Sequence, residues 1–289
     1  MAHNTSTRLT DVGIEIFEQY WQPDGKPKAV ICLIHGLGEH SSRYQHLAAY
    51  YVKNGYLVAA YDLRGHGRSQ GQRGHYPSLD AAMDDIKIFT EKLEKDYPDI
   101  PIFLYGHSLG GVLVLNYVLR NKNHLTGVIA TSPGLVTGQK VAAWKLTLGK
   151  MLYSVMPTFT MPNGLDVQNI SRDSHVVKKY ISDPLVHDKV TARFGLDFIN
   201  AGAWVLEHAA EFPLPLLLQY GSGDHIVSGE AIRTFANHAP GVTYHEWDGH
   251  FHELHNEPDQ EVFFNFTEQW MDDRLTKSPR LSSYDRSIN

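Results

Sequence analysis

The 289-residue sequence contains a single cysteine, Cys32, so no intramolecular disulfide can staple the fold. Cys32 stands inside the apolar run AVICLI and reads as a small buried hydrophobe, which fits a reducing compartment. No stretch approaches the roughly 18 apolar residues of a membrane span, and the opening MAHNTSTRLT lacks the apolar segment of a secretory signal. A cytoplasmic protein is therefore expected, one that at most touches a membrane from outside. Basic charge is also scarce: 26 Lys and Arg against 32 Asp and Glu give a net charge of −6 and a pI near 6.3. Without a Lys/Arg cluster to neutralise phosphates, nucleic acid is not an expected partner. Internal repeats are missing too, so no repeat architecture is expected. Neither HExxH nor a second cysteine accompanies His245, His250, His252 and His255, which argues against a metal site although four imidazoles fall within a dozen residues.

What is present is organised around Pro101 to Leu119, PIFLYGHSLGGVLVLNYVL. The apolar run Ile102–Tyr105 reads as a buried strand, it breaks at Gly106-His107-Ser108-Leu109-Gly110-Gly111, and a Leu/Val-rich helical pattern follows. Strand, G-x-S-x-G, helix is the context of a nucleophile elbow. So sharp a turn needs Gly106 and Gly110, because the backbone passes closely on both sides of Ser108. The helix N-terminus then aims the Leu109 N–H at the place where negative charge develops in acyl transfer.

Around this elbow, strands alternate with helices. A strand with one wet face is expected within VGIEIFEQYWQ, then strands at 29–34, 56–61, 127–131, 214–220 and 242–247, those at 29–34 and 127–131 buried, with helices near 42–54, 78–97, 229–238 and 258–275. That order predicts an α/β fold with a mostly parallel sheet covered on both faces. The alternation lapses from 135 to 211, where the pattern turns helical. The domain reading is a core of 1–134 and 212–275, a helical cap or lid at 135–211, and a disordered polar tail at 276–289.

A serine hydroxyl needs a base to take its proton and an acid to orient that base, in chain order Ser, Asp/Glu, His. Asp224 sits in the loop just past the strand ending at Tyr220, where the acid belongs. The last strand runs into Trp247-Asp248-Gly249-His250-Phe251-His252-Glu253; His252 is the preferred base and His250 the runner-up. A second oxyanion donor is expected from the loop His35-Gly36-Leu37-Gly38, whose glycines let the Leu37 N–H turn inward. His35 is expected to tie that loop, and Asp62 and Arg64 to pair locally as scaffolding. No cofactor is required.

With these residues in place, the chain resembles the α/β-hydrolase superfamily and, within it, the monoacylglycerol lipase and lysophospholipase group. HGLGEHSSRY, DLRGHGRSQGQRG, GHSLGG, SDPLV, GSGDHIV and GHFHELHNEP carry the resemblance over nearly the whole chain. It implies an α/β-hydrolase fold with a helical cap inserted after the sixth strand, His252 as the base over His250, Asp224 as the acid and Leu37 as an oxyanion donor. Animal members carry a cysteine shortly after the acid; here Ile226-Val227-Ser228 follows, so thiol sensitivity is not expected. The implied activity is hydrolysis of a single-chain glycerolipid ester, foremost monoacylglycerol, with lysophospholipase or general carboxylesterase activity as alternatives.

The cap residues give a substrate argument of their own. Trp144, Leu148, Met151, Leu152 and Val155, at near-helical spacing, with Ile226 beside the acid, are candidates to line an acyl tunnel or to touch a lipid surface transiently. Two remoter readings stand beside this one. Gly36-x-Gly38-x-x-Ser41 followed by Asp62 imitates a dinucleotide fingerprint without its third glycine, and a non-catalytic binding protein could use the same fold.

Overall fold

The computed structural model describes residues 2–138 and 143–277. In chain order its regular elements are β1 (Ala2–Leu9), β2 (Glu15–Gln22), β3 (Ala29–Ile34), α1 (Gln45–Lys53), β4 (Tyr56–Tyr61), α2 (Leu79–Asp96), β5 (Ile102–His107), α3 (Leu109–Arg120) and β6 (Gly127–Thr131). After β6 come α4 (Ala143–Val155), β7 (Thr160–Pro162), α5 (Ser174–Ser182), β8 (Lys189–Thr191) and α6 (Ala192–Glu207). The chain then completes the sheet with β9 (Leu216–Gly221), α7 (Gly229–His238), β10 (Val242–Trp247) and α8 (Gln260–Lys277).

Eight strands form one sheet in the order β1-β2-β4-β3-β5-β6-β9-β10. The β1–β2 and β2–β4 pairs are antiparallel and every later pair is parallel. β7 and β8 form a separate antiparallel pair. The continuous apolar run of β3 is explained by its neighbours. Val30, Cys32 and Ile34 face a core shared with α2, α3, α6 and α7, while Ala29, Ile31 and Leu33 face a second core with α1 and α8. A strand buried on both faces cannot alternate polar with apolar.

Most strands lie where the pattern puts them. β9 starts at Leu216, two residues later than expected, because Pro215 lacks an N–H for the ladder; its carbonyl still accepts the Val128 N–H at 2.9 Å. The expected helix at 42–54 opens as a 3-10 turn, Ser41–Tyr44, before α1. Ser78 caps α2, its Oγ accepting the Ala81 N–H at 3.1 Å. β1 has no counterpart in the sequence reading. Its side chains are almost all exposed, and it is held by its register with β2 and by cross-strand pairs such as Arg8 Nε to Glu18 Oε1 at 2.9 Å. Neither leaves a hydrophobic period to read.

The stretch 135–211, expected as a helical cap, lies between β6 and β9 and carries α4, α5 and α6 together with the short strands β7 and β8. Among the described residues no helix is long and apolar enough to cross a membrane. The expected polar tail falls, from residue 278, outside the described residues.

Candidate active site

The parallel strands end along one edge of the sheet, so the loops after β3, β5, β9 and β10 meet there. β5 leads into Ser108, which has φ 55° and ψ −113° and stands at the N-cap of α3. A Cβ on Gly106 would run into the Gly110 carbonyl, and one on Gly110 into the Ile34 carbonyl at the end of β3. These contacts are the physical reason for glycine at both flanks of the serine.

β9 delivers Asp224. Its Oδ1 accepts the N–H groups of Ile226 (2.7 Å) and Val227 (3.2 Å), which leaves Oδ2 for His252 Nδ1 at 2.7 Å. His252 Nε2 in turn lies 2.9 Å from Ser108 Oγ. A carboxylate can only accept, so Nδ1 carries the ring proton and Nε2 presents its lone pair to the serine hydroxyl. All three side chains are buried. Burial by itself would push His252 down, but the charge and hydrogen bond of Asp224, with help from Glu253 and Glu39, hold it above the ordinary histidine value of 6.5. His107 lies against the same ring, centroids 4.8 Å apart, and burial, reinforced by His252, drives it well below 6.5; it stays neutral.

The loop after β3 packs directly on the serine: a Cβ built on Gly36 would be 3.4 Å from Ser108 Cβ. His35 ties this loop as expected. Its Nδ1 donates to the Gly36 carbonyl (2.8 Å) and its Nε2 accepts the Leu63 N–H (2.9 Å). Glu39 Oε1 accepts both the Gly36 N–H and the Tyr44 hydroxyl at 2.7 Å, and Arg43 joins Glu39 to Glu253, the residue after His252. Glu39, Arg43 and Glu253 were not singled out from the sequence. The Glu39/Arg43 spacing of four is visible there, but its partner lies 210 residues away.

Other expected residues separate. His250 turns away from the serine: its Nδ1 donates to the Asp248 carbonyl (3.0 Å) and its Nε2 stands 3.1 Å from Asp259 Oδ1. His245 packs on Trp247 and Phe266, with ring centroids 4.3 and 4.5 Å away. Arg64 pairs with Asp85 of α2 at 2.7 Å. Asp62 is buried and accepts from Ser41 N–H (2.8 Å) and Arg68 N–H (2.8 Å), so its carboxylate has no face left for a ribose, and the dinucleotide reading fails at its acid. Among the described residues no group of His, Cys, Asp and Glu is arranged to hold a metal ion. On α4, Met151 and Val155 are 57% and 74% exposed and Leu152 is half-buried. Ile226 is half-buried against Ile170, Val177 and Tyr180. The side chains of Trp144 and Leu148 lie outside the described residues.

The family model described as serine aminopeptidase, S33, matches residues 25–259. The chain is 37% identical over 98% of its length to an abhydrolase domain-containing protein of Dictyostelium discoideum, and spans 30% of that much longer relative. It is 31% identical to the monoacylglycerol lipase of Mycolicibacterium smegmatis, covering 90% of this chain and 93% of that one. Among solved structures it superposes on the monoacylglycerol lipase of Paleococcus ferrophilus with a TM-score of 0.82 at 32% identity, over 91% of this chain and 99% of that one. The sheet order, the elbow and these matches together establish that the chain belongs to the serine aminopeptidase S33 family of α/β-hydrolases, in the group that includes the monoacylglycerol lipases.

Proposed function

We propose that the protein is a serine hydrolase that cleaves monoacylglycerol to fatty acid and glycerol. The observation that carries this reading is the continuous relay from Asp224 Oδ2 through His252 to Ser108 Oγ, at 2.7 and 2.9 Å. Ser108 Oγ attacks the ester carbonyl as His252 Nε2 takes its proton. The Leu37 and Leu109 N–H groups receive the oxyanion, Asp224 stabilises the imidazolium, and His252 returns the proton to the departing glycerol oxygen. Water, deprotonated by His252, then releases the acid from the acyl-enzyme.

The segment 135–211 is the cap of this enzyme. Met151, Val155, Met156 and Phe159 are exposed large apolar side chains on or just after α4, which suits transient contact with a lipid surface. Leu152 and Ile226, both half-buried, complete the proposed acyl contacts among the described side chains. A phospholipase of Bacillus subtilis, 30% identical over 87% of this chain, supports a second reading with a phosphorylated head group. Against it, the guanidinium between the base and oxyanion loops, Arg43, already faces two carboxylates, Glu39 and Glu253. One cation between two anions leaves that corner with no surplus positive charge for a phosphate.

Head-group release from 1-monoacylglycerol and from lysophosphatidylcholine of matched chain length tests this, with Ser108→Ala alongside. Faster glycerol release, lost in the variant, supports the proposal. Faster release of the phosphorylated head group replaces it with a lysophospholipase, and turnover of short-chain esters alone leaves a general carboxylesterase.

A further inference from the structure

We propose that Ser132 is a positioning residue for the base: its hydroxyl holds the main chain of His252 so that Nε2 stays on Ser108. The inference rests on the catalytic roles proposed above for Ser108 and His252.

His252 lies in the irregular connection between β10 and α8, and its contact with Asp224 fixes only one point of the imidazole. The backbone that carries the ring needs separate anchors. Its N–H reaches the Asn169 carbonyl at 3.4 Å, a long bond, whereas its carbonyl accepts Ser132 Oγ at 2.8 Å. The shorter anchor thus comes from a residue just past β6 that is itself completely buried.

Ser132 is tied into the rest of the site. Its N–H donates to the Gln219 carbonyl of β9, the strand that delivers Asp224, at 2.8 Å. Its chain neighbours bracket the serine: Ser108 N–H donates to the Thr131 carbonyl (3.0 Å) and Gly134 N–H to the Ser108 carbonyl (3.2 Å). One short segment therefore bonds to the nucleophile, the acid's strand and the base.

The backbone of Ser132 is unusual in the same direction. Its φ is 43°, and among the described residues only Asp99 and Ser108 are other non-glycine positions with positive φ. Glycine is the residue that fits such a conformation without cost, and the chain uses it at Gly249 in the base loop, φ 68°. A serine kept here in its place contributes the one thing glycine lacks, a hydroxyl, and that hydroxyl is on His252.

Ser132→Gly and Ser132→Ala both delete the hydroxyl, but Gly also relieves the left-handed backbone, so it is the variant least exposed to misfolding. Each is compared with the unaltered protein for kcat, KM, melting temperature and the rate of fluorophosphonate labelling of Ser108, with Ser108→Ala as the reference for loss of the nucleophile. The expected result for Ser132→Gly is a kcat lowered about 10- to 100-fold, a parallel fall in labelling, KM unchanged within about two-fold and an unchanged or higher melting temperature. A purely structural role would lower stability without separating kcat from KM. Unaltered kcat and labelling in Ser132→Gly, or a rise in KM alone, overturns the proposal. Activity persisting in Ser108→Ala would instead overturn the catalytic reading beneath it.

Discussion

Arg43 and Glu253 form a two-point ion pair, Nη1 to Oε1 at 2.6 Å and Nη2 to Oε2 at 2.7 Å, that fastens the loop after β3 to the residue beside His252. The same Nη1 reaches Glu39 Oε2 at 2.5 Å; both carboxylates are buried and the Arg43 side chain is 9% exposed. Removing the guanidinium strands two carboxylates in a low-dielectric corner. Arg43→Met is expected to lower unfolding free energy by about 3–5 kcal/mol, read by urea denaturation. Arg43→Lys keeps the charge but cannot make the two-point pair, and its loss should be smaller. A stable Arg43→Met protein would show that the pair is not a structural tie.

The elevated affinity of His252 for its proton sets the acidic limb of activity. The base must be neutral to accept the Ser108 proton, so kcat/KM should rise with pH through an apparent pKa above 6.5. Asp224→Asn removes the charge that opposes burial, so the limb should move below 6.5 while kcat falls by roughly 10⁴. Rates measured between pH 5 and 9 check both. An acidic limb unmoved by Asp224→Asn would contradict the assignment of the acid.

Buried neutral imidazoles make stability, like activity, decline toward acid. Burial lowers His35 to about 3 and holds His66, His107 and His255 well below 6.5. As pH falls below 6.5 the unfolded chain binds protons that the folded one refuses, so this stability is present above 6.5 and lost toward acid. Each such group should cost about 2 kcal/mol between pH 7 and pH 5. His252, shifted upward, contributes in the other sense, its share being lost as pH rises, but it is one group against four. Equal denaturation midpoints at pH 7 and pH 5 would be inconsistent with these shifts.

Gly110 tests the elbow's sterics. Its Cβ would meet the Ile34 carbonyl, a fixed backbone atom that cannot rotate aside. Gly110→Ala should therefore push α3 off β3, lowering stability by about 1–3 kcal/mol and displacing Ser108 from His252. Melting temperature and fluorophosphonate labelling would both fall; labelling at the original rate would show that the turn tolerates a side chain.

The residues that the structure brings together at Ser108 were largely legible because they follow strand ends, where an apolar run stops and a glycine-rich turn begins. Ser108 and Asp224 stand at such breaks, the family resemblance favours His252 over His250 within the last of these loops, and Gly106 and Gly110 carry a steric reason with them. β1 was not legible, since an exposed edge strand draws its stability from pairing with β2 and leaves no apolar alternation. Arg43, Glu253 and Ser132 were not legible either. A buried charge or hydroxyl looks like any surface residue until its partner is known, and these partners lie 210 and 120 residues away.

The fold class and the order of the core elements from β2 onward are set locally, because periodicity, proline and glycine act over a few residues and each buried strand is marked by its own apolar run. Tertiary structure supplied the physical reason that His252, the histidine favoured by the resemblance, meets the serine: His250 and His252 are two residues apart and chemically identical, and the path of the loop, bonded by Ser132 and Asp224, directs one ring inward and the other to Asp259. It also decided the protonation of that ring, since whether burial or a neighbouring carboxylate prevails depends on a 2.7 Å contact between residues on two different strands' loops.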